Sequence, residues 1–209
     1  MIMPLLLRKL YLEEKKIITG TVLKAYCRAL HLDYDATIRY LLRNNYLRRI
    51  LRGIFYLPSI EERKLKRIGL TPLNAVAEAL KIKSVNNWYF GLETAMKLNN
   101  LTHEFFTTET VISDTLFRAK FVTILGRPIK FVKVKKSLFG FGVIATPVNF
   151  SDPEKTLLDI VYLSRYEGLA DKEITVKLSD LRDKCSYHKL VKYSKNYNKV
   201  IERLVKKWA

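Results

Sequence analysis

The hydrophobic residues of the first 44 positions follow helical spacing, interrupted by one short extended stretch. Apolar residues recur three and four positions apart with charged residues between them, which is typical of amphipathic helices that share a core. Threonine and aspartate side chains precede two of these stretches, and both can cap a helix by accepting a backbone N–H. The pattern predicts a helix over Met3–Lys15, an extended Ile17–Ile18, a helix from Thr19 or Thr21 to about Leu30, and a helix over Tyr34–Asn44 begun by Asp33.

The next segment predicts a β-hairpin. Residues that favour strands fill Tyr46–Ile50 and Ile54–Leu57, and Gly53 in the connection supplies the positive φ that a tight turn needs. Helix, short strand, helix, turn, helix and hairpin, in this order, are the elements of a winged helix-turn-helix domain. We therefore predict such a domain over residues 1–58.

After residue 58 the apolar pattern weakens before it resumes. The segment that begins at Ser59 mixes both signs of charge without apolar periodicity, so we predict a linker over 59–70. Thr71-Pro72 is typical of a helix start, with threonine as the N-cap and proline at the first helical position. A second domain is therefore predicted over 71–209.

The second domain mixes strands with helices. A short strand at Trp88–Phe90 is expected to run into a helix from Leu92 to about Asn99, and residues 105–147 alternate as half-exposed strands do. Ser151 is expected to cap an amphipathic helix over Lys155–Tyr166. The predicted fold class is thus α+β, an N-terminal winged helix-turn-helix followed by a mixed α/β domain that ends in helices.

Charge gives the first indication of a partner. The 209 residues carry a net charge of +18, and residues 1–68 hold 15 Lys and Arg against 6 Asp and Glu, a net charge of +9. Such a balance indicates an anionic partner, most often nucleic acid and less often a membrane surface. No apolar run approaches the roughly 18 residues that span a bilayer, so we expect a cytoplasmic protein without a membrane partner.

The residue types that could form a catalytic or metal site are scattered along the sequence. The two cysteines and three histidines show no metal-ligand spacing, and no nucleophile–base spacing or nucleotide-binding glycine loop is present. Asp159, on the apolar segment LLDIVYL, is either a buried polar anchor or a site residue, and the apolar surroundings favour the anchor. We therefore expect no metal, no cofactor and no enzymatic activity.

The third predicted helix and the hairpin carry the candidate binding residues. At about 100° per residue, four polar or aromatic side chains of the helix fall opposite Ile38, and three hairpin arginines have no acidic neighbour in the sequence. Unpaired arginines are too costly to bury, so they are expected to point outward toward a polyanion. A helix with such a face fits the major groove of DNA, while a basic hairpin can hold backbone phosphates. The predicted DNA-binding residues are Thr37, Arg39, Tyr40, Arg43, Arg48, Arg49 and Arg52.

Four segments in this order resemble the AbiEi antitoxin family, transcriptional regulators of type IV toxin–antitoxin systems. They are RRILRGIFYL, WYFGLETAMKLNNLT, FVTILGRPIKFVKV and PEKTLLDIVYLSRY, and the resemblance spans roughly residues 20–200. It implies an N-terminal winged helix-turn-helix that binds operator repeats upstream of its own operon and represses it. It also implies a C-terminal domain that counters a nucleotidyltransferase-like toxin, with or without direct contact. The implied DNA contacts fall on the third helix and on the Arg48–Arg52 hairpin.

Two functions of other classes are compatible with the same residues. One is an enzyme that processes nucleic acid and uses the winged domain for delivery, and the other is a winged-helix scaffold that binds only protein. The basic end of the chain, which has no acid from Lys184 to Ile201, is either a solvated face or a second surface for anions. The sequence leaves the oligomeric state open.

Overall fold

The computed structural model describes residues 3–208, which form two compact units. The N-terminal unit consists of the chain up to Ser84 together with Ile124–Gly126. The C-terminal unit consists of Val85–Thr123 together with the chain from Arg127 onward. Helices and strands alternate through the chain, so the predicted α+β class is confirmed.

Helices and short strands follow the predicted order in the N-terminal unit. Its elements are α1 (Met3–Leu12), β1 (Ile17–Thr19), α2 (Gly20–Ala29), α3 (Tyr34–Arg43), β2 (Arg48–Leu51), β3 (Ile54–Tyr56), α4 (Ile60–Lys64) and α5 (Pro72–Ile82). Asp33 begins α3 as predicted, because its Oδ1 accepts the backbone N–H of Ala36 at 2.7 Å. Thr19 begins α2, and its hydroxyl accepts the N–H of Val22 at 3.4 Å.

The strands of this unit form one small antiparallel sheet in the order β1-β3-β2. Phe55 of β3 pairs with Ile18 on one side and with Arg49 on the other. Gly53 has φ 75°, the left-handed conformation that lets β2 turn into β3. Its carbonyl accepts the N–H of Gly20 at 2.8 Å, which fixes the start of α2 against the hairpin turn.

Packing fixes where α3 and the hairpin lie. α1 contributes Leu6 and Leu10 to the core, α2 contributes Leu23, α3 contributes Leu41 and β3 contributes Phe55, each at most 2% exposed. Full burial of one such side chain stabilises the fold by about 1.5–3 kcal/mol. The helices and the hairpin are therefore held by one shared core, with most of their polar side chains left outside it.

The segment predicted as a linker is structured, and the boundary between the units lies later in the chain. Ser59 caps α4 in a capping box: its hydroxyl accepts the N–H of Glu62, whose carboxylate accepts the N–H of Ser59. α5 packs against β2 and so belongs to the N-terminal unit. The chain divides after Ser84 and not at 59–70. The hydrophobic pattern does not reveal α4, because charged residues make up most of this helix.

The C-terminal unit places a mixed sheet beside helices. The strand order is β6-β7-β5-β4-β9-β8, with β5 and β7 parallel and β4 and β5 antiparallel. The predicted strand and helix at 88–99 are confirmed. The elements are β4 (Trp88–Phe90), α6 (Leu92–Leu98), β5 (Glu109–Ser113), β6 (Val122–Ile124), β7 (Arg127–Lys133), a 3-10 turn (Lys136–Leu138), β8 (Val143–Ile144), β9 (Phe150–Ser151), α7 (Pro153–Tyr166), α8 (Asp171–Lys177), α9 (Ser179–Arg182), α10 (Tyr187–Ser194) and α11 (Lys199–Lys206).

The cap of α7 differs by one residue from the prediction. Asp152, and not Ser151, is the N-cap, since its Oδ1 accepts the backbone N–H of Lys155 at 2.8 Å. The Ser151 hydroxyl instead lies 2.7 Å from the Thr156 hydroxyl, inside the unit. A serine and an aspartate that follow each other are both good caps, so the pattern alone could not choose between them.

Asp159 is a buried anchor, which confirms the favoured interpretation. Its carboxylate is 1% exposed and accepts the hydroxyl protons of Tyr89 at 2.8 Å and Tyr197 at 2.6 Å. Lys155, one turn earlier on α7, is 0% exposed and donates to Asp159 at 3.3 Å and to the Leu138 carbonyl at 2.8 Å. Burial raises the pKa of Asp159 and lowers that of Lys155, since each charge has left water. The pair therefore ties the sheet, α7 and the connection between α10 and α11 together from inside.

Within residues 3–208, no helix has both the length and the apolar character needed to cross a bilayer. Cys27 is buried and Cys185 is half-buried, and both are free thiols. In the same part of the chain, no three His, Cys, Asp or Glu side chains converge as a metal-binding group.

Candidate nucleic-acid interface

The outward face of α3 carries three of the predicted residues. Arg39, Tyr40 and Arg43 are exposed, while Ile38 and Leu41 of the same helix are buried in the core. The Tyr40 ring is 43% exposed and lies 6.2 Å from the Tyr46 ring in a stacked arrangement. Two cations and an aromatic ring are thus presented together on one helix.

Thr37 was predicted on this face, and the prediction is wrong. Its side chain is 3% exposed, and its hydroxyl donates to the Asp33 carbonyl at 2.6 Å. At about 100° per residue, Thr37 is next to Leu41 on the helix, so the buried arc is centred between Ile38 and Leu41 and reaches Thr37. The packing of α2 on α3 sets this rotation, which the pattern of α3 alone does not contain.

The hairpin arginines are exposed above a buried base. Arg48, Arg49 and Arg52 reach solvent, whereas Ile50 and Ile54 are at most 2% exposed. The pairing of β2 with β3 shifts by one residue at Ile50, a bulge that turns the chain at this point. The apolar residues therefore anchor the hairpin while its arginines remain in water, as the sequence predicts.

The hairpin lies beside α3. Burial and the charge of Asp35 raise the pKa of Tyr34, the first residue of α3, and the guanidinium of Arg49 opposes that shift. The backbone N–H of Leu47, just before β2, donates to the Leu41 carbonyl of α3 at 3.1 Å. Arg48 lines a cavity with Asn44, which follows the last turn of α3. We name Arg39, Tyr40 and Arg43 of α3 and Arg48, Arg49 and Arg52 of the hairpin the basic face.

The cations of the basic face lack carboxylate partners. Within residues 3–208, none of its five arginines has a carboxylate oxygen within 4.0 Å. Three carboxylates of this unit have other partners: Asp33 caps α3, Glu13 pairs with Lys15 at 3.6 Å, and Glu62 accepts the Ser59 N–H in the capping box of α4. The positive potential of the basic face is therefore left open to an external anion.

A cavity of about 340 Å³ lies at one end of the basic face, and sequence reasoning missed it. Its lining adds three cations from the segment predicted as a linker, which α4 and the turn after it bring next to Arg48. The signal that could have found them is the capping-box sequence SIEE at Ser59, which predicts a helix there. We name this cavity the cationic pocket; its lining is Asn44, Asn45, Arg48, Pro58, Glu62, Arg63, Lys66, Arg67 and Ile68.

Glu62 anchors the floor of the cationic pocket. Its carboxylate accepts the Tyr56 hydroxyl at 2.7 Å, the Ser59 N–H at 2.7 Å and the Gly69 N–H at 2.6 Å. Burial opposes ionisation of Glu62, but the three donors outweigh it and lower the pKa of the carboxyl below its usual value. The carboxylate is therefore ionised and fully engaged at neutral pH.

Acid is expected to destabilise this unit through Glu62. Because the folded-state pKa is lower than the unfolded one, the stabilisation is present above pH 4.5, the ordinary value, and is lost as the pH falls through the folded pKa. We expect Glu62→Gln to lower the free energy of unfolding by about 1–2 kcal/mol at pH 7. Below pH 4.5, the ordinary pKa of a glutamate carboxyl, the free energy of unfolding of the variant should depend less on pH than that of the wild type. Denaturant unfolding at several pH values, with Glu61→Gln as control, checks this; equal acid sensitivity of both variants would contradict it.

The C-terminal unit has a larger groove of a different kind. A cavity of about 590 Å³ is lined in part by Phe117 and Phe121, each 60% exposed. Three cations and two carboxylates share its walls, namely Arg118, Lys130, Lys177, Glu93 and Glu167. Both signs of charge are present, so this groove lacks the single-signed potential of the basic face.

The basic end of the chain folds as two amphipathic helices on α7. Leu190 of α10 and Ile201 of α11 are buried, while most lysines of these helices are exposed. Lys184 donates to the Leu101 carbonyl at 2.7 Å, and Lys189 lies 3.5 Å from the Glu154 carboxylate. Part of this charge therefore has internal partners, and both interpretations of the segment remain compatible with its geometry.

Comparison with known proteins supports the fold alone. No family model and no curated protein matches the chain. A solved structure, the crystal structure of the RV2827C protein from Mycobacterium tuberculosis, is similar with a TM-score of 0.57 and 14% identity. The similarity covers 96% of this chain and 73% of that one. It extends over both units, and at this identity it carries no information about function.

Proposed function

We propose that the N-terminal unit is a winged helix-turn-helix domain that binds double-stranded DNA, and that the protein is a sequence-specific transcriptional regulator. The observation that carries the proposal is the basic face, with five exposed arginines on α3 and the adjoining hairpin and no carboxylate within 4.0 Å of any of them in residues 3–208. Exposed cations that repel one another are stabilised when an anionic surface neutralises them.

The two parts of the basic face suit two tasks. α3 would enter the major groove, where arginine can donate two hydrogen bonds to guanine and where Tyr40 offers a ring and a hydroxyl. The hairpin would lie along the backbone, where Arg48, Arg49 and Arg52 meet phosphates and fix the register of α3. Phosphate contacts would supply affinity for any DNA, and the contacts from α3 would supply the preference for one sequence.

Occupation of a promoter is the mechanism that follows. A regulator of this kind blocks polymerase when its affinity for the operator exceeds its non-specific affinity by about 10³-fold or more. Fluorescence anisotropy with DNA from upstream of its own gene, competed by scrambled DNA of equal length, measures that ratio. A ratio near one would contradict the proposal that the protein is a sequence-specific regulator. If DNA affinity did not depend on salt at all, a scaffold that binds only protein would be favoured.

Arg39 provides a test of base recognition. Replacing Arg39 by alanine should weaken binding to the preferred sequence by about 1–3 kcal/mol and relax the preference at one base pair, because a contact to a base edge is lost. Competition with duplexes that carry single base-pair changes measures both effects. Uniform weakening across all the duplexes would instead place Arg39 on a phosphate.

The role of an antitoxin rests on the resemblance to the AbiEi family. We propose that the protein represses its own operon and counters a nucleotidyltransferase-like toxin encoded beside it. Co-expression in a host cell tests this: growth arrest by the neighbouring gene product should be relieved by this protein. Failure of relief would leave the DNA-binding function standing and remove the antitoxin function.

A further inference from the structure

The cationic pocket has the composition of an anion site. Arg48, Arg63, Lys66 and Arg67 line a space of about 340 Å³, and Glu62 is the only carboxylate in the lining. All four cations belong to the N-terminal unit, and three of them follow the hairpin in the chain. The lining therefore carries four cations, against the two arginines on the exposed face of α3.

The one carboxylate does not neutralise the cations. Glu62 is held by the Tyr56 hydroxyl and by the backbone N–H groups of Ser59 and Gly69. Within residues 3–208, none of the four cations has a carboxylate oxygen within 4.0 Å. Like charges confined to one concave space raise each other's energy, and a bound anion relieves that repulsion.

The Arg63 side chain and the backbone that carries Lys66 and Arg67 are held in place before any ligand arrives, while the Lys66 and Arg67 side chains are exposed. The Arg63 guanidinium is half-buried and stacks 3.7 Å from the centre of the Tyr46 ring. Lys66 has φ 52°, which reverses the chain after α4 and brings the following residues back onto the pocket. The Arg67 N–H donates to the Glu62 carbonyl at 3.0 Å. A site whose backbone and one guanidinium are already ordered loses less conformational entropy when it binds than a fully mobile one.

The chemistry of these groups selects phosphate. Arginine presents paired N–H donors that match the oxygens of a phosphate group, and lysine adds a compact charge. Asn44 and Arg48 line the pocket, so it lies where the end of α3 meets the start of the hairpin. DNA that follows α3 along the hairpin would carry its backbone past this point.

We propose that the cationic pocket binds a phosphate group of the DNA backbone that flanks the segment contacted by α3. The source of this phosphate rests on the proposed DNA-binding function, whereas the phosphate chemistry of the pocket does not. The pocket extends the interface beyond the basic face to Arg63, Lys66 and Arg67. It also gives α4 a role, since the capping box holds these cations at the edge of the hairpin.

A double variant tests the pocket with a matched control. Lys66→Gly with Arg67→Ala removes two charges, and glycine suits the positive φ at position 66, so the melting temperature should be retained. Lys81→Ala with Lys83→Ala removes two charges from exposed positions of the same unit outside the pocket. We expect the pocket variant to bind duplex DNA at least about tenfold more weakly than the control. Its plot of log K against log[salt] should be shallower by about 1–2.

Inorganic phosphate separates the two sources of the ligand. In a titration of the full chain, phosphate should shift the side-chain Nε–H NMR signals of Arg63 and Arg67 in the wild type and not in the Lys66→Gly variant. If these signals saturate while DNA affinity equals that of the control, the pocket binds a small phosphorylated molecule and the backbone as source is overturned. If neither DNA affinity nor the signals depend on the pocket, the proposal is overturned as a whole.

These results also distinguish the pocket from the proposed function. Specific DNA binding by the wild type, with the pocket variant equal to its control, removes the pocket from the interface and leaves the regulator standing. If the wild type does not bind DNA but phosphate shifts the NMR signals to saturation, the regulator function is removed and the anion-binding pocket remains.

Discussion

Replacing Arg48, Arg49 and Arg52 with alanine is expected to weaken binding to any duplex DNA by about 10²- to 10³-fold at about 0.15 M salt. Each arginine contributes on the order of 1–1.5 kcal/mol through a charge-assisted hydrogen bond to a phosphate. The three side chains are exposed, and the hairpin is held by Ile50, Ile54 and the rest of the core, so the variant should fold normally. Anisotropy titrations with preferred and scrambled duplexes measure the loss, which should be equal for both.

A control with the same net charge shows whether position matters. Alanine at Arg8, Lys81 and Lys83 removes three exposed cations of the same unit that lie outside the basic face. If binding depended only on the overall charge of the chain, this variant would lose as much affinity as the hairpin variant. We expect a loss of less than about tenfold, since exposed charges beyond a Debye length are screened. Equal losses would contradict the assignment of the hairpin to the DNA backbone.

The second large effect concerns stability. Asp159→Ala is expected to lower the free energy of unfolding by about 3–5 kcal/mol, because it leaves the fully buried Lys155 ammonium without its counter-charge. The change also removes the acceptor for the Tyr89 and Tyr197 hydroxyls. Denaturant unfolding followed by circular dichroism measures the loss, which is a large part of the stability of a typical domain.

Two further variants isolate the cause. Lys155→Met with Asp159→Asn removes both charges, keeps the volume and keeps an acceptor oxygen for the tyrosine hydroxyls, so it should cost less than the single change. Glu202→Ala breaks an exposed pair of the same i, i+4 spacing, Lys206–Glu202, and should leave stability almost unchanged. If the double variant is as unstable as Asp159→Ala, the loss comes from packing and not from the isolated charge.

The sequence predicted those elements whose signals are local. A helix N-cap favours aspartate and a positive φ favours glycine, whatever the rest of the fold. Asp33 as the cap of α3 and Gly53 in the hairpin turn could therefore be predicted from the local sequence. The exposed arginines of the hairpin were also predictable, because an unpaired charge has no stable place in a core.

What the sequence did not predict depends on tertiary packing. The rotation of α3 that buries Thr37 is set by its contact with α2, which no single-helix pattern contains. The pattern predicts Lys155 as the first residue of an amphipathic helix, and its complete burial depends on two acceptors from distant parts of the chain, the Leu138 carbonyl and the Tyr197 hydroxyl, besides Asp159 one turn later. The cationic pocket likewise needs α4 to return to the hairpin before its residues become neighbours.

The boundary between the units shows the same limit. The segment from Ser59 contains a capping box but little apolar periodicity, so hydrophobic spacing alone does not predict the helix. The difference matters for function, because residues 59–84 belong to the unit that carries the basic face. A fragment used to study DNA binding should therefore retain this segment, since truncation at residue 58 would remove three cations of the pocket.

The salt dependence of DNA binding by the wild-type chain tests the central claim most directly. If the three hairpin arginines of the basic face meet phosphates, log K should fall with log[salt] with a slope of about −2.7 or steeper. A slope near zero, or no binding to duplex DNA at low salt, would contradict the account.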